Sequence, residues 1–270
     1  MNRITAGRRH PLARYAVLLL ALGLLGVAYT LAVPTDDRAA ASIASGKVDN
    51  VAEGKRLFEQ SCSSCHGLNA EGIPDRGPSL VGVGWAAVDF QVSSGRMPMT
   101  QPGAQAPRKK PAEWVNDETI KQLGAYIQSL GGGPVPPTEE QVDASKGSRA
   151  KGGELFRANC IQCHNFVGAG GALTQGKYAP ELTEATPKQI YEAMATGPQA
   201  MPVFNDSIIT PDQKRDMIAY IVGLQNEPNP GGAGLGRIGP VTEGLLLWVV
   251  GISLLVLAAI WITAKKRQAK

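Results

Sequence analysis

The middle of the chain is written twice. Gly54, Leu57, Phe58, Cys62, Cys65 and His66 recur as Gly152, Leu155, Phe156, Cys160, Cys163 and His164, each displaced by 98 residues. Downstream, Gly77-Pro78-Ser79-Leu80 is echoed by Ala179-Pro180-Glu181-Leu182, and Met97-Pro98 by Met201-Pro202. Ala125-Tyr126-Ile127 with Leu130 returns as Ala219-Tyr220-Ile221 with Leu224. The same features in the same order mean a duplicated unit, so the fold must close within fewer than about 100 residues. In a chain of 270 residues, two such units leave room only for connecting and anchoring segments.

Each unit predicts a mainly α fold. Leu57 and Phe58, like Leu155 and Phe156, sit on a short amphipathic helix one turn before the first Cys, and a loop rich in Gly and Pro follows the His. A last helix over about 117–130 in the first unit, and about 211–224 in the second, carries apolar residues at helical spacing. Thr210 is the expected cap of the second and Pro211 suits its first turn. Alternating apolar residues are nearly absent, so strands are not expected. Gly131-Gly132-Gly133-Pro134-Val135-Pro136-Pro137 reads as a semi-rigid linker, and Asn229-Pro230-Gly231-Gly232 as a tether after the second unit.

Cys62-Ser63-Ser64-Cys65-His66 and Cys160-Ile161-Gln162-Cys163-His164 match the attachment pattern of c-type haem. Two thiols three residues apart can add across the two vinyl groups on one edge of haem, and the next imidazole then falls beneath the iron. The two matches consume all 4 cysteines and two of the 3 histidines, leaving His10 near the N-terminus. A thioredoxin-like pair needs no trailing His and sits in a strand-helix context. One zinc site made of all four thiols would leave both histidines and both Met-Pro loops unexplained. Two covalently bound haem c groups are therefore expected, held by Cys62, Cys65, Cys160 and Cys163, with His66 and His164 as axial ligands of iron.

Iron bound by His on one side takes a sixth ligand, and a Met thioether raises the potential and suits electron transfer. Met201 is the candidate in the second unit, 37 residues after His164. In the first, Met97 and Met99 compete. The Met-Pro pairing favours Met97, whereas the four-residue step from Gly95, matched by Gly197 to Met201, favours Met99; Met97 is the choice. Met194 and Met217 lie in helical stretches and read as core. The carbonyls of Pro78 and Pro180 are placed to accept the hydrogen bond of each ligand's other ring nitrogen, or each proline simply stiffens its loop. Trp85, Tyr126 and Tyr220 read as packing around the cofactor.

The net charge of +4 conceals an asymmetry. Of 27 Lys and Arg, Arg3, Arg8, Arg9 and Arg14 sit at one end and Lys265, Lys266, Arg267 and Lys270 at the other, leaving 19 against 23 acidic residues. The body is mildly acidic, which excludes the continuous basic face of a nucleic-acid partner. Both basic clusters flank apolar runs. Residues 244–262 form a 19-residue run with Trp248 and Trp261 toward its ends and Lys265-Lys266-Arg267 behind it, the pattern of a transmembrane helix. Residues 16–33 follow a basic segment and read either as an uncleaved anchor or as an export signal, with 39–44 as a small-residue cleavage region. The positive-inside rule puts both termini in the cytoplasm and the repeated units on the extracytoplasmic face of the cell membrane.

The two haem motifs with Gly77-Pro78-Ser79-Leu80, Ser94-Gly95-Arg96-Met97-Pro98, Gly176-Lys177-Tyr178-Ala179-Pro180 and Thr196-Gly197-Pro198-Gln199-Ala200-Met201-Pro202 carry a resemblance over nearly the whole chain from about residue 52. Ala104-Gln105-Ala106-Pro107-Arg108-Lys109 adds to it. The chain resembles the dihaem cytochrome c subunit of the actinobacterial menaquinol-cytochrome c reductase, the cytochrome bcc complex. That resemblance implies tandem class I cytochrome c domains with a C-terminal transmembrane helix and an N-terminal signal or anchor helix. The expected organisation is 1–38 for the basic N-terminus and signal or anchor, 48–131 for the first domain and 132–147 for the linker. The second domain follows at 148–226, then a linker at 227–242, the membrane helix at 243–264 and a basic tail at 265–270.

The resemblance also implies a role and partners. Electrons from a quinol would pass from a Rieske iron-sulfur subunit, beside a cytochrome b subunit, through the first haem to the second and on to an aa3-type cytochrome c oxidase. The chain would be an electron-transfer subunit of an oxidoreductase of the translocase class, without catalysis of its own. Two other readings remain open at this level. One is a stand-alone membrane dihaem cytochrome serving a dehydrogenase or oxidase; the other is a dihaem peroxidase, which needs an iron with an open position and is disfavoured by two Met loops.

Overall fold

The computed structural model describes residues 13–32, 50–228 and 240–267. Arg3, Arg8, Arg9 and His10, the small-residue stretch 39–44, the tether at 229–239 and the last residues 268–270 lie outside the described residues. The chain divides into units 1–49 and 50–270, each taken here by itself. In the first, helix α1 (Ala13–Ala32) is a 20-residue helix rich in Leu and Ala, with Leu18, Leu19, Leu20, Leu22, Leu24 and Leu25 exposed.

The second unit is built from helix pairs. Helix α2 (Asn50–Ser61) leads into the one-turn helix α3 (Ser63–His66), followed by α4 (Trp85–Ser93) and α5 (Asp117–Ser129). The pattern returns as α6 (Glu139–Val142), α7 (Arg149–Asn159), the one-turn α8 (Ile161–His164), α9 (Pro187–Thr196) and α10 (Pro211–Gln225). Helix α11 (Pro240–Arg267) ends the described chain.

In each half the helix before the Cys motif crosses the last helix, α2 on α5 and α7 on α10. The crossing explains the first repeated residue. A Cβ on Gly54 would lie 1.9 Å from the Gln122 carbonyl oxygen, and one on Gly152 would lie 1.9 Å from that of Asp216. Only glycine lets the two backbones meet. One turn on, Phe58 packs on Tyr126 and Phe156 on Tyr220, both at 5.3 Å between ring centroids. Phe58, Leu123 and Ile127 centre one core, and Phe156, Met194, Met217 and Ile218 the other.

The caps fix where the long helices start. Asn116 and Thr119 exchange side-chain and backbone hydrogen bonds at the start of α5, as do Thr186 and Gln189 at α9 and Thr210 and Gln213 at α10. Each pair satisfies amide donors that have no partner within the helix. Helix α5 ends at Ser129 and α10 at Gln225, one residue from the ends that apolar spacing predicts on each.

The sequence reading differs from the structure in three places. Helix α4 stands where a Gly- and Pro-rich loop was expected, whereas α9 is the helical stretch expected around Met194, and the two pack on one another across the two halves. Gly171–Ala172 (β1) and Tyr178–Ala179 (β2) form a short antiparallel ladder, with Ile73 bridging Gly77 at the matching place in the first half. Two-residue pairings leave no alternation to read. Finally, the linker folds back onto the first half: the Pro134 carbonyl accepts from the Ala86 amide at 3.0 Å, and Gly133 passes so close to Gly84 that a Cβ would lie 2.5 Å from its nitrogen.

Within α11, Glu243–Ala264 is a span of 22 residues with a mean hydropathy of 2.8, the one helix among the described residues long and apolar enough to cross a membrane. Trp248 and Trp261 are exposed on it.

Candidate functional site

Cys62 and Cys160 are the hinges of the two motifs. Their backbones take nearly the same conformation, φ −126° and ψ −29° against φ −120° and ψ −27°, and each breaks the long helix before it from a single turn after it. Within that turn the Cys65 and His66 amides donate to the Cys62 carbonyl at 3.1 and 3.0 Å. The Cys163 and His164 amides donate to Cys160 at 3.2 and 2.9 Å. The single turn keeps two thiols and one imidazole close together, and in the first motif all three line one cavity. None of the cysteines is in a disulfide.

The loop after each His turns back and holds the ring. The Gly72 amide donates to the His66 carbonyl at 2.7 Å and Gly170 to His164 at 3.0 Å, which starts the return. Each loop then brings a proline carbonyl to the imidazole: His66 Nδ1 lies 2.7 Å from the Pro78 oxygen and His164 Nδ1 lies 3.0 Å from that of Pro180. With Nδ1–H donating there, Nε2 carries the free lone pair that a metal requires.

Electrostatics favours the same chemistry. Burial lowers the pKa of His164, partly opposed by the Pro180 carbonyl, which keeps the imidazole in the neutral form that ligates. Burial, with Cys65 beside it, pushes the Cys62 thiol up to about 11; burial, with Cys163 beside it, pushes Cys160 up to about 12. Among the described residues, no group of three or more His, Cys, Asp and Glu side chains converges as a metal site.

Cys62, Cys65, His66, Pro78, Met97 and Met99 line a single cavity of about 1170 Å³. Its volume is at the large end for cofactor pockets, and its walls carry thiols, an imidazole and thioethers together. Those donors and that space fit a covalently attached haem. Both Met97 and Met99 reach this cavity. In the second half, Met201 is half-buried in a turn after α9 and packs on the core that contains Cys160 and Phe156. Met194 and Met217, at 2% and 1% exposure, lie in the core itself.

The same cavity has walls that the repeat does not reveal. Gln105 and Ala106 line it from the loop before α5, and Lys177 and Gln199 line it from the second half. The 104–109 stretch has no counterpart in the second unit, so self-comparison of the sequence leaves it unmarked.

Comparison with known proteins agrees with this geometry. Residues 51–131 match the family model "Cytochrome c", and residues 147–221 match "Cytochrome C oxidase, cbb3-type, subunit III". The chain is similar to the cytochrome bc1 complex cytochrome c subunit of Corynebacterium diphtheriae, 42% identical over 98% of both chains. The subunit of the same description from Corynebacterium efficiens is 44% identical over 92% of this chain and 88% of its own. That of Mycobacterium tuberculosis is 44% identical over 95% and 92%. Likeness at that level, running through both Cys-x-x-Cys-His turns, means that the chain belongs to the family of cytochrome c subunits of the cytochrome bc1 complex.

Proposed function

We propose that the chain is a membrane-anchored dihaem c-type cytochrome that carries electrons from the Rieske iron-sulfur centre of a menaquinol-oxidising bc complex to an aa3-type cytochrome c oxidase. The observation that carries this reading is the paired site geometry. Two Cys-x-x-Cys-His turns have the same hinge conformation, and each ligand imidazole is held by a proline carbonyl. Haem, when bound, supplies a one-electron iron couple. The protein would do the rest: Cys62 and Cys65 would hold the first haem covalently, with His66 and Met97 as ligands of its iron. Cys160, Cys163, His164 and Met201 would hold the second in the same way, and the Pro78 and Pro180 carbonyls, accepting from Nδ1, set the tautomer of the two histidines. A Met thioether as the remaining ligand of each iron would suit electron transfer over oxygen chemistry.

In this reading 48–131 and 148–226 are tandem class I cytochrome c domains on the extracytoplasmic face. Residues 243–264 anchor them, the C-terminus is cytoplasmic, and α1 is the signal or anchor. The partners are the cytochrome b subunit, the Rieske subunit and the oxidase. The translocase activity is a property of the assembly, in which this chain carries electrons. A reduced-minus-oxidised spectrum of the tagged protein after mild detergent extraction tests it. Bands of b-type and a-type haem beside the c-type band are expected. A c-type band alone would leave a stand-alone dihaem cytochrome in its place.

A further inference from the structure

Two glutamines join the first cofactor cavity to the ligand loops of the second. Gln105 pairs with the outer edge of β2 as a strand would: its Nε2 donates to the Tyr178 carbonyl at 2.7 Å and its Oε1 accepts from the Tyr178 amide at 2.9 Å. Two residues beyond Tyr178 is Pro180, whose carbonyl holds His164. From the other side, Gln199 Nε2 donates to the Ala106 carbonyl at 3.0 Å, and Gln199 stands two residues before Met201. Gln199 is held at φ +59°, a conformation in which glycine or asparagine is ordinary and glutamine is not. A side chain kept at a strained position and used in a contact between the halves points to a role for that contact. Both glutamines also line the cavity of Cys62, Cys65, His66 and Met97, and Ala106 between them is buried at 4% exposure. The loop 104–106 is thus at once a wall of the first site and a hydrogen-bonded neighbour of both ligand loops of the second.

We propose that Gln105 and Gln199 are positioning residues that lock the two haem pockets at one spacing, so that electrons cross between them through residues 104–106 without a domain movement. This rests on the dihaem reading above. In the step served, iron(II) in the first pocket is oxidised to iron(III) while iron(III) in the second is reduced to iron(II); no bond forms or breaks and no proton moves. Neither glutamine is placed as a ligand of iron, but both line the first cavity, so the potentials are measured beside the rate.

The test uses the full chain in its purified complex. Gln105→Met keeps length and removes both polar contacts, and Gln199→Gly removes the side chain while relieving the backbone. Haem content is measured first. Two haem c per wild-type chain keeps the underlying reading, whereas fewer removes that reading and this inference together. The first haem is then photoreduced and arrival at the second followed optically. Both potentials are titrated in each variant, and at matched driving force the double variant should transfer about tenfold or more slowly and become dependent on solvent viscosity, as wild type is not. Gln105→Glu, which retains only the bond from the Tyr178 amide, should fall between the two. If the double variant loses a haem, Gln199→Gly alone decides by the same criteria. A rate within twofold of wild type and indifferent to viscosity would overturn the proposal.

Discussion

At the scale of single residues, the first methionine loop makes a sharp division. Met97 and Met99 both face the cavity of Cys62, Cys65 and His66, and a thioether ligand holds the potential of haem high. Met97→Leu is expected to abolish the low-spin Met/His signature of the first haem and lower its potential, with Met99→Leu leaving both in place; near-infrared absorption and a redox titration read this. The reverse pattern would transfer the role to Met99. Met201→Leu should act in the same way on the second haem only. The glycines at the helix crossings make a different kind of demand. A methyl group on Gly54 or Gly152 would lie 1.9 Å from a carbonyl oxygen of the partner helix, so Gly152→Ala forces the α7 and α10 backbones apart. A loss of roughly 1–3 kcal/mol in chemical denaturation is expected, and an unchanged midpoint would show that the crossing is not tight.

At the scale of elements, capping decides how the terminal helices begin. Thr210→Ala removes the acceptor for the Gln213 amide at the start of α10, and a loss of about 1 kcal/mol is expected in a thermal melt. The cap and the first-turn proline of α10 were legible because Thr-Pro before helical spacing is a local signal. The Cys-x-x-Cys-His turns were legible for the same reason, and so was the repeat of helix, Cys motif and last helix, since self-comparison needs no knowledge of the fold. Helix α9 carries the same Thr-Pro start at Thr186 and Pro187, and Met194 within it reads as helical core although that start goes unmarked among Gly- and Pro-rich surroundings. Helix α4 has no side-chain cap at Gly84, and its apolar residues do not concentrate on one face, so nothing local announces it. It is settled by packing against α5 and α9. The contacts of Gln105 span 73 residues of sequence, which is why composition and spacing are silent about them.

At the scale of the whole molecule, the seam between the halves contains a buried acid. Glu192 on α9 is 0% exposed and neither carboxylate oxygen has a hydrogen-bond partner among the described residues. Facing it are Asp89 on α4 and Lys188 on α9, themselves paired at 2.5 Å. Burial, reinforced by Asp89 and opposed by Lys188, raises the Glu192 pKa from 4.5 to about 9. The folded state therefore holds a proton that the unfolded chain releases above its own lower pKa, so this group costs stability progressively as pH rises from about 4.5 to about 9. Glu192→Gln should leave stability at pH 4 nearly unchanged, raise it by about 3 kcal/mol near pH 7, and flatten the decline in melting temperature through that window. A variant that melts below wild type at pH 8 would mean that the acid is ionised and useful where it lies.

The account as a whole stands on one count, the number of haem groups attached to one chain. Intact-mass spectrometry of the purified subunit measures it directly. The predicted result is the polypeptide mass plus two haems, falling to one haem when Cys160 and Cys163 are both replaced by Ala. A wild-type chain carrying one haem or none would contradict the account.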